Sequence, residues 1–111
     1  MDYERARTLL EAERVRVERL LTDAREDANS DRSAAAETGD MADPAEPLTA
    51  EEGEDAVLEG LRARLDAIGR AEARLDAGTY GRSVQSGQPI PDARLEADPA
   101  AELTVDEAEN A

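Results

Sequence analysis

Five residue types are missing from this sequence: cysteine, histidine, phenylalanine, tryptophan and lysine. Without cysteine there is no disulfide, thiolate zinc site or redox centre, and without histidine the commonest general base and metal ligand is gone. Carboxylates, hydroxyls and arginine are left to do any chemistry. Large aliphatic residues are scarce too: eighteen Leu, Ile and Val in 111 residues, roughly 16%, a level on the disordered side of the compositional rule. Only strong periodicity offsets that, because an extended hairpin needs a seam and not a globular centre. No eighteen apolar residues occur in succession, and no signal-like apolar run follows Met1-Asp2-Tyr3-Glu4-Arg5, so a cytoplasmic protein without membrane contact is expected. Positive charge is also short. Thirteen arginines face twenty-eight acids, a net charge of -15, and this field repels DNA and RNA, whose affinity for proteins rests on phosphate neutralisation.

What is present is helical periodicity. From Asp2 to about Arg32 there is no Gly or Pro, and Tyr3, Leu10, Val17 and Ala24 recur every seven residues, with Ala6, Leu20, Leu21 and Ala28 beside them. Arg14 with Glu18 exemplifies the alternating charge expected on the outer face. Periodicity stops over 29–48, where Ser30, Ser33, Gly39, Pro44 and Pro47 interrupt it. Thr49-Ala50-Glu51-Glu52 has the form of a capping box and predicts the start of a second helix. Leu58, Leu61, Leu65, Ile68 and Leu75 form its stripe, with Glu72 in the remaining slot, and Gly78 supplies a left-handed cap. Two such helices lie antiparallel and bury their thin stripes on each other. Residues 37–59 hold nine acids and no base, whereas 60–82 hold five Arg against three acids. The acid concentrates at the apex, as a solvated loop and helix N-terminus also would.

After the second helix comes Tyr80-Gly81-Arg82-Ser83-Val84-Gln85-Ser86-Gly87-Gln88-Pro89-Ile90, and then Arg94-Leu95-Glu96-Ala97-Asp98-Pro99-Ala100-Ala101. This run resembles the DksA/TraR family, whose signature reads Tyr-Gly-x-Cys-x-x-Cys-Gly-x-x-Ile, then Arg-Leu-x-Ala-x-Pro-x-Ala and a second Cys-x-x-Cys. The fixed positions match across 80–101 except at the cysteines. In that register the four zinc-ligand positions are Ser83, Ser86, Thr104 and Glu107, two x2 pairs seventeen residues apart. Neutral hydroxyls are poor zinc ligands and one carboxylate cannot hold a tetrahedral structural site, so no zinc and no other cofactor is expected. The segment then depends on Tyr80, Val84, Ile90, Leu95, Leu103 and Val105 packing against the hairpin base, with fraying beyond about residue 102.

The fold expected is therefore all-α: a long antiparallel coiled-coil hairpin over 1–79 with its tip at about 33–48, and a small, metal-free, zinc-finger-like segment over 80–111 ending in a short helix. By resemblance, the hairpin of a bacterial regulator enters the secondary channel of RNA polymerase and modulates initiation, with an Asp-x-x-Asp-x-Ala motif at its tip acting near the polymerase active site. The matching residues are Asp40, Asp43 and Ala45. Arg62, Arg64, Arg70 and Arg74 are candidates for contact along the channel, or solubilising residues on a wet face. The basic residues that alarmone-responsive members use are not matched: Asp98 precedes Pro99, and no base follows Arg94. A monomer is expected. The alternative is a structural or adaptor coiled coil that has lost polymerase binding. An enzyme is not expected, because Asp40 and Asp43 would lie on an exposed tip without the apolar surroundings that tune catalytic carboxylates.

Overall fold

The structure, a computed structural model, describes residues 1–38 and 45–110, with the backbone alone for 30–38, 45–52 and 54. Four helices follow one another: α1 (Tyr3–Thr38), α2 (Ala45–Ala77), α3 (Asp92–Ala97) and α4 (Val105–Glu109). Among the described residues there is no strand, and a single isolated bridge joins Arg82 and Pro89. The all-α class is as expected.

Both long helices run further than their sequence signals. The Asp2 carboxylate accepts the Arg5 backbone N–H at 2.7 Å and caps the start of α1. The helix then passes Arg32, its expected end, and reaches Thr38. Ser30 and Ser33 are only mildly unfavourable inside a helix, and Ala34, Ala35 and Ala36 are its best formers. α2 begins at Ala45, four residues before the expected start at Thr49. Pro47 falls in its first turn, where a backbone N–H has no intrahelical partner to lose. The Thr49 to Glu52 pattern therefore lies inside α2 and is not its cap. At the other end Gly78 has φ +78°, its N–H donates to Leu75 O at 3.2 Å, and Thr79 N–H donates to Arg74 O at 2.9 Å. These two bonds form a Schellman motif, which ends the helix where the glycine predicts.

Two compact units are present: Met1–Val15 with Leu65–Ala111, and Arg16–Arg64. The segment 80–111 thus shares a unit with the residues at the hairpin's base. In the first unit the helices are antiparallel: Arg14 reaches Glu72, while Tyr3 lies beside Leu75 and Gly78. Ala6, Leu10, Ile68 and Ala71 are buried there, and a second cluster joins Ile90, Leu95 and Ala101, with Met1 and Tyr80 packed against it. In the second unit Val17, Leu21, Ala28 and Leu58 are buried. Tyr3 and Leu20, both assigned to the stripe from sequence, are exposed.

Glu72, the polar slot in the α2 stripe, is matched by a polar residue on α1. Arg14 Nε donates to Glu72 Oε2 at 3.2 Å, and Arg14 Nη2 donates to Glu72 Oε1. Arg14 thus turns toward α2, although its charge pattern assigned it to the outer face. It stands four residues after Leu10 and three before Val17, at the edge of the buried stripe, so its guanidinium reaches the seam. A polar pair at the edge of an apolar seam penalises a shift of register, since sliding one helix leaves both charges half-buried without this contact.

Candidate functional site

The distal segment folds back through a tight knuckle. Gly81 has φ +87°, and a β-carbon there would lie 3.7 Å from Leu95 Cδ1, so glycine lets the chain turn directly over the buried leucine. Ser83 N–H donates to Gln88 O at 2.8 Å, Gly87 N–H to Ser83 O at 2.9 Å, and Ile90 N–H to Gly81 O at 2.7 Å. Val84 N–H donates to Glu102 O at 2.9 Å and ties the knuckle to the chain that enters α4.

This path brings together the four positions separated as 83, 86, 104 and 107 in sequence. Thr104 caps α4: its Oγ1 accepts Glu107 N–H at 3.3 Å, and Glu107 Oε1 accepts Thr104 N–H at 2.9 Å. Ser86, Gln88, Thr104, Asp106 and Glu107 line one shallow pocket. Ser83, only 5% exposed, accepts the N–H groups of Gln85 at 3.1 Å and Ser86 at 3.2 Å. The Thr104 backbone N–H, followed by the Ser83 and Ser86 hydroxyls, holds the Glu107 carboxyl far below its ordinary value, at about 2. In place of the frayed end expected beyond residue 102, residues 104–110 form a capped helix.

This donor set does not suit zinc. The oxygens of Ser83 and Thr104 already accept backbone N–H groups, their protonated hydroxyls are weak ligands, and only Glu107 carries charge. Among the described residues no three His, Cys, Asp or Glu side chains are grouped to hold a metal ion.

Arginine pairs join the segment to the two helices. Arg5 grips Glu96 with both nitrogens, Nε to Oε1 at 2.9 Å and Nη2 to Oε2 at 2.6 Å. Arg70 Nε donates to Glu102 Oε1 at 2.7 Å, with Arg74 Nη1 3.5 Å from the same oxygen. Hydrogen bonds from Arg5 and Arg70 respectively are the main reason that the Glu96 and Glu102 carboxyls lie below the usual range. The amino terminus stands 3.0 Å from Asp92 Oδ1, and Arg94 Nε donates to Leu103 O at 2.8 Å. Tyr80 donates its hydroxyl to Pro99 O at 2.7 Å, and burial pushes its phenol up to about 12 against the opposing charge of Arg74. Arg74 Nη2 is buried without a hydrogen-bond partner among the described residues.

The other sequence-derived sites fare unevenly. Asp40 and Asp43 lie outside the described residues, and Ala45 is the first residue of α2, with its side chain outside them as well. Arg70 and Arg74 converge on Glu102, while Arg62 is exposed and Arg64 half-buried in the other unit. Two expected core residues are misassigned: Val84 is 57% and Val105 46% exposed. Small residues are buried in the segment: Ala101 packs in the cluster with Leu95, and Ala100 is 2% exposed. Sequence reasoning missed Arg5, Glu96 and Glu102 altogether. In a chain so rich in charge, nothing local singles out partners 91 and 32 residues apart.

No family model matches the chain, and no curated protein matches it. Among solved structures the chain is similar to that of transcription factor DksA2 from Pseudomonas aeruginosa, at a TM-score of 0.47 and 24% sequence identity, over 93% of this chain and 82% of that one. No helix among the described residues is long and apolar enough to cross a membrane.

Proposed function

We propose that this protein is a transcription regulator of the DksA/TraR type, which docks on RNA polymerase through the secondary channel and works without zinc. One observation carries the reading. Of the positions that the family signature marks as ligands, Ser86, Thr104 and Glu107 line one pocket and Ser83 accepts the Ser86 N–H beside it, although none is a cysteine. Residues this far apart meet by chance only rarely, so their convergence supports the register that also aligns Tyr80 to Ala101 with the signature. The action is electrostatic and steric: the hairpin's sides give affinity, and Asp40 and Asp43 place negative charge near the polymerase's catalytic metal without making or breaking a bond. Arg62, exposed on α2, is the leading candidate for a channel contact among the four arginines.

The test compares wild type with Asp40→Asn/Asp43→Asn in a polymerase competition assay and in vitro transcription at equal occupancy. The variant binds but loses most of the transcriptional effect. If wild type does not bind polymerase even at low salt, the proposal fails and the adaptor reading takes its place; a variant that regulates normally removes the role of the tip.

A further inference from the structure

We propose that the pair of Arg14 and Glu72 is a selectivity device, which makes α1 and α2 choose each other over a second copy of either helix. The inference stands apart from polymerase binding. On α1 the stripe of Ala6, Leu10, Val17, Leu21, Ala24 and Ala28, buried throughout except for half-buried Ala24, advances by three or four residues with one gap, between Leu10 and Val17. Arg14 stands in that gap. On α2 the stripe of Leu58, Leu61, Leu65, Ile68 and Leu75, buried or half-buried, advances in the same way, and its one gap is filled by Glu72. The two polar slots meet. Arg14 Nε donates to Glu72 Oε2 at 3.2 Å, and Arg14 Nη2 donates to Glu72 Oε1. A β-carbon on Gly69 would lie 3.8 Å from Arg14 Nη2, so the guanidinium crosses α2 at a residue without a side chain and reaches Glu72 three residues further on.

Apolar layers do not distinguish partners. A leucine packs as well against a leucine of another chain, and with stripes this thin and regular, pairing like with like buries much the same surface. The polar layer breaks that equivalence. In a parallel pair of α1 helices Arg14 meets Arg14, and in a parallel pair of α2 helices Glu72 meets Glu72, like charges held half out of water. Both side chains keep about a third of their surface in solvent, 35% and 36%, so the pair adds little net stability. What it supplies is the difference between the right pairing and the wrong ones.

The test uses the full chain, sedimentation velocity and amide spectra. Wild type sediments as a monomer with one set of amide signals. Arg14→Leu/Glu72→Leu fills both gaps with apolar side chains and melts no lower than wild type, as exchanges of an ion pair for packed leucines often do, but it self-associates at concentrations where wild type does not. Arg19→Leu/Glu59→Leu is the control: it makes the same two changes at exposed positions off the stripes and stays monomeric. A leucine variant that remains a monomer with one set of signals overturns the proposal, and so does a control that associates as strongly, since added apolar surface then explains the effect. Charge is tested separately. Arg14→Glu sets two carboxylates in one layer and raises opening of the Leu10 and Ile68 amides several-fold, while Arg14→Glu/Glu72→Arg rebuilds the pair with its charges exchanged and recovers most of the loss. No recovery shows that the two side chains act independently, which overturns the proposal equally. Should the leucine variant not fold, Arg14→Ala/Glu72→Ala against Arg19→Ala/Glu59→Ala carries the same comparison.

Discussion

Arg16–Arg64 and the unit of Met1–Val15 with Leu65–Ala111 rely on different chemistry. Among the described residues, the first buries Val17, Leu21, Ala28 and Leu58 between its two helical segments. The second buries a comparable seam, adds the Ile90, Leu95 and Ala101 cluster, and binds its parts with Arg5 to Glu96, Arg70 to Glu102 and Val84 N–H to Glu102 O. A short chain without disulfides has little core to spare. The distal cluster and these arginine pairs add to the seam of the second unit, so local opening is expected to be harder there than in Arg16–Arg64.

The comparison breaks most readily at Leu95, which is 1% exposed in the middle of the distal cluster. Leu95→Ala removes buried surface and leaves a cavity under Gly81, at a cost of about 3 kcal/mol. Urea denaturation followed by Tyr fluorescence and by circular dichroism measures it. A loss well below that of Leu21→Ala, in the seam of the other unit, reverses the order of the two regions.

Next in size is Glu102. Its carboxylate serves Arg70 at 2.7 Å and Arg74 at 3.5 Å, and Arg74 is only 16% exposed with Nη2 already unpartnered among the described residues. Glu102→Gln leaves a guanidinium half out of water with less to compensate it, and such half-pairs cost more than exposed ones. Its effect is roughly half that of Leu95→Ala, between the ranges for surface and buried pairs. The loss shrinks in high salt, which screens the wild-type ion pairs that the substitution removes.

These contacts were hidden in the sequence for a physical reason, whereas the helices were legible. Periodicity reports which face is buried, and it correctly marks Leu10, Val17, Leu21, Ala28, Leu58 and Ile68. Termini are governed by weak local preferences, and both long helices overrun them, through Ala34 to Ala36 in one and across Pro47 in the other. The distal segment was legible as a pattern and illegible as packing. Its register brought the four positions together, yet Val84 and Val105 face solvent while Ala100 and Ala101 fill the interior, because at a knuckle the backbone path decides burial and not residue size. Glu72 was visible as a gap in the stripe. Its partner Arg14 needed the helix register, which charge patterns along one helix do not contain.

Acid sharpens the contrast. The Glu96 and Glu102 carboxyls are depressed in the folded protein by Arg5 and Arg70 respectively, so their contribution is fully present above the ordinary carboxylate value. It disappears as pH falls below that value and through their folded values. Protonation also relieves the net charge of -15, and this general gain reaches both units. The difference between units isolates the clasps. Between pH 7 and pH 3, amide protection in the base falls relative to protection in Arg16–Arg64, and Glu96→Gln/Glu102→Gln reduces that relative change. An unchanged ratio shows that the ion pairs contribute no net stability.

The smallest effect, and the most local, is at Tyr80. Its phenol is half-buried, donates to Pro99 O at 2.7 Å, and ionises only at about 12, with burial the leading cause and the positive charge of Arg74 opposing it. A folded value raised above the unfolded one stabilises the fold fully below the unfolded value of about 10, and that contribution is lost as pH rises toward 12. In a Tyr3→Phe background Tyr80 is the sole phenol, so tyrosinate absorbance reports it alone. The transition falls near 12 in the folded protein and near 10 in denaturant. Tyr80→Phe keeps the ring in place and leaves the carbonyl of buried Pro99 without its donor, a cost of about 1 kcal/mol. It also makes stability flatter above pH 10. A phenol that titrates near 10 in the native protein shows that water reaches it, which would place the edge of the distal cluster short of Tyr80 and leave Ile90, Leu95 and Ala101 to hold the base by themselves.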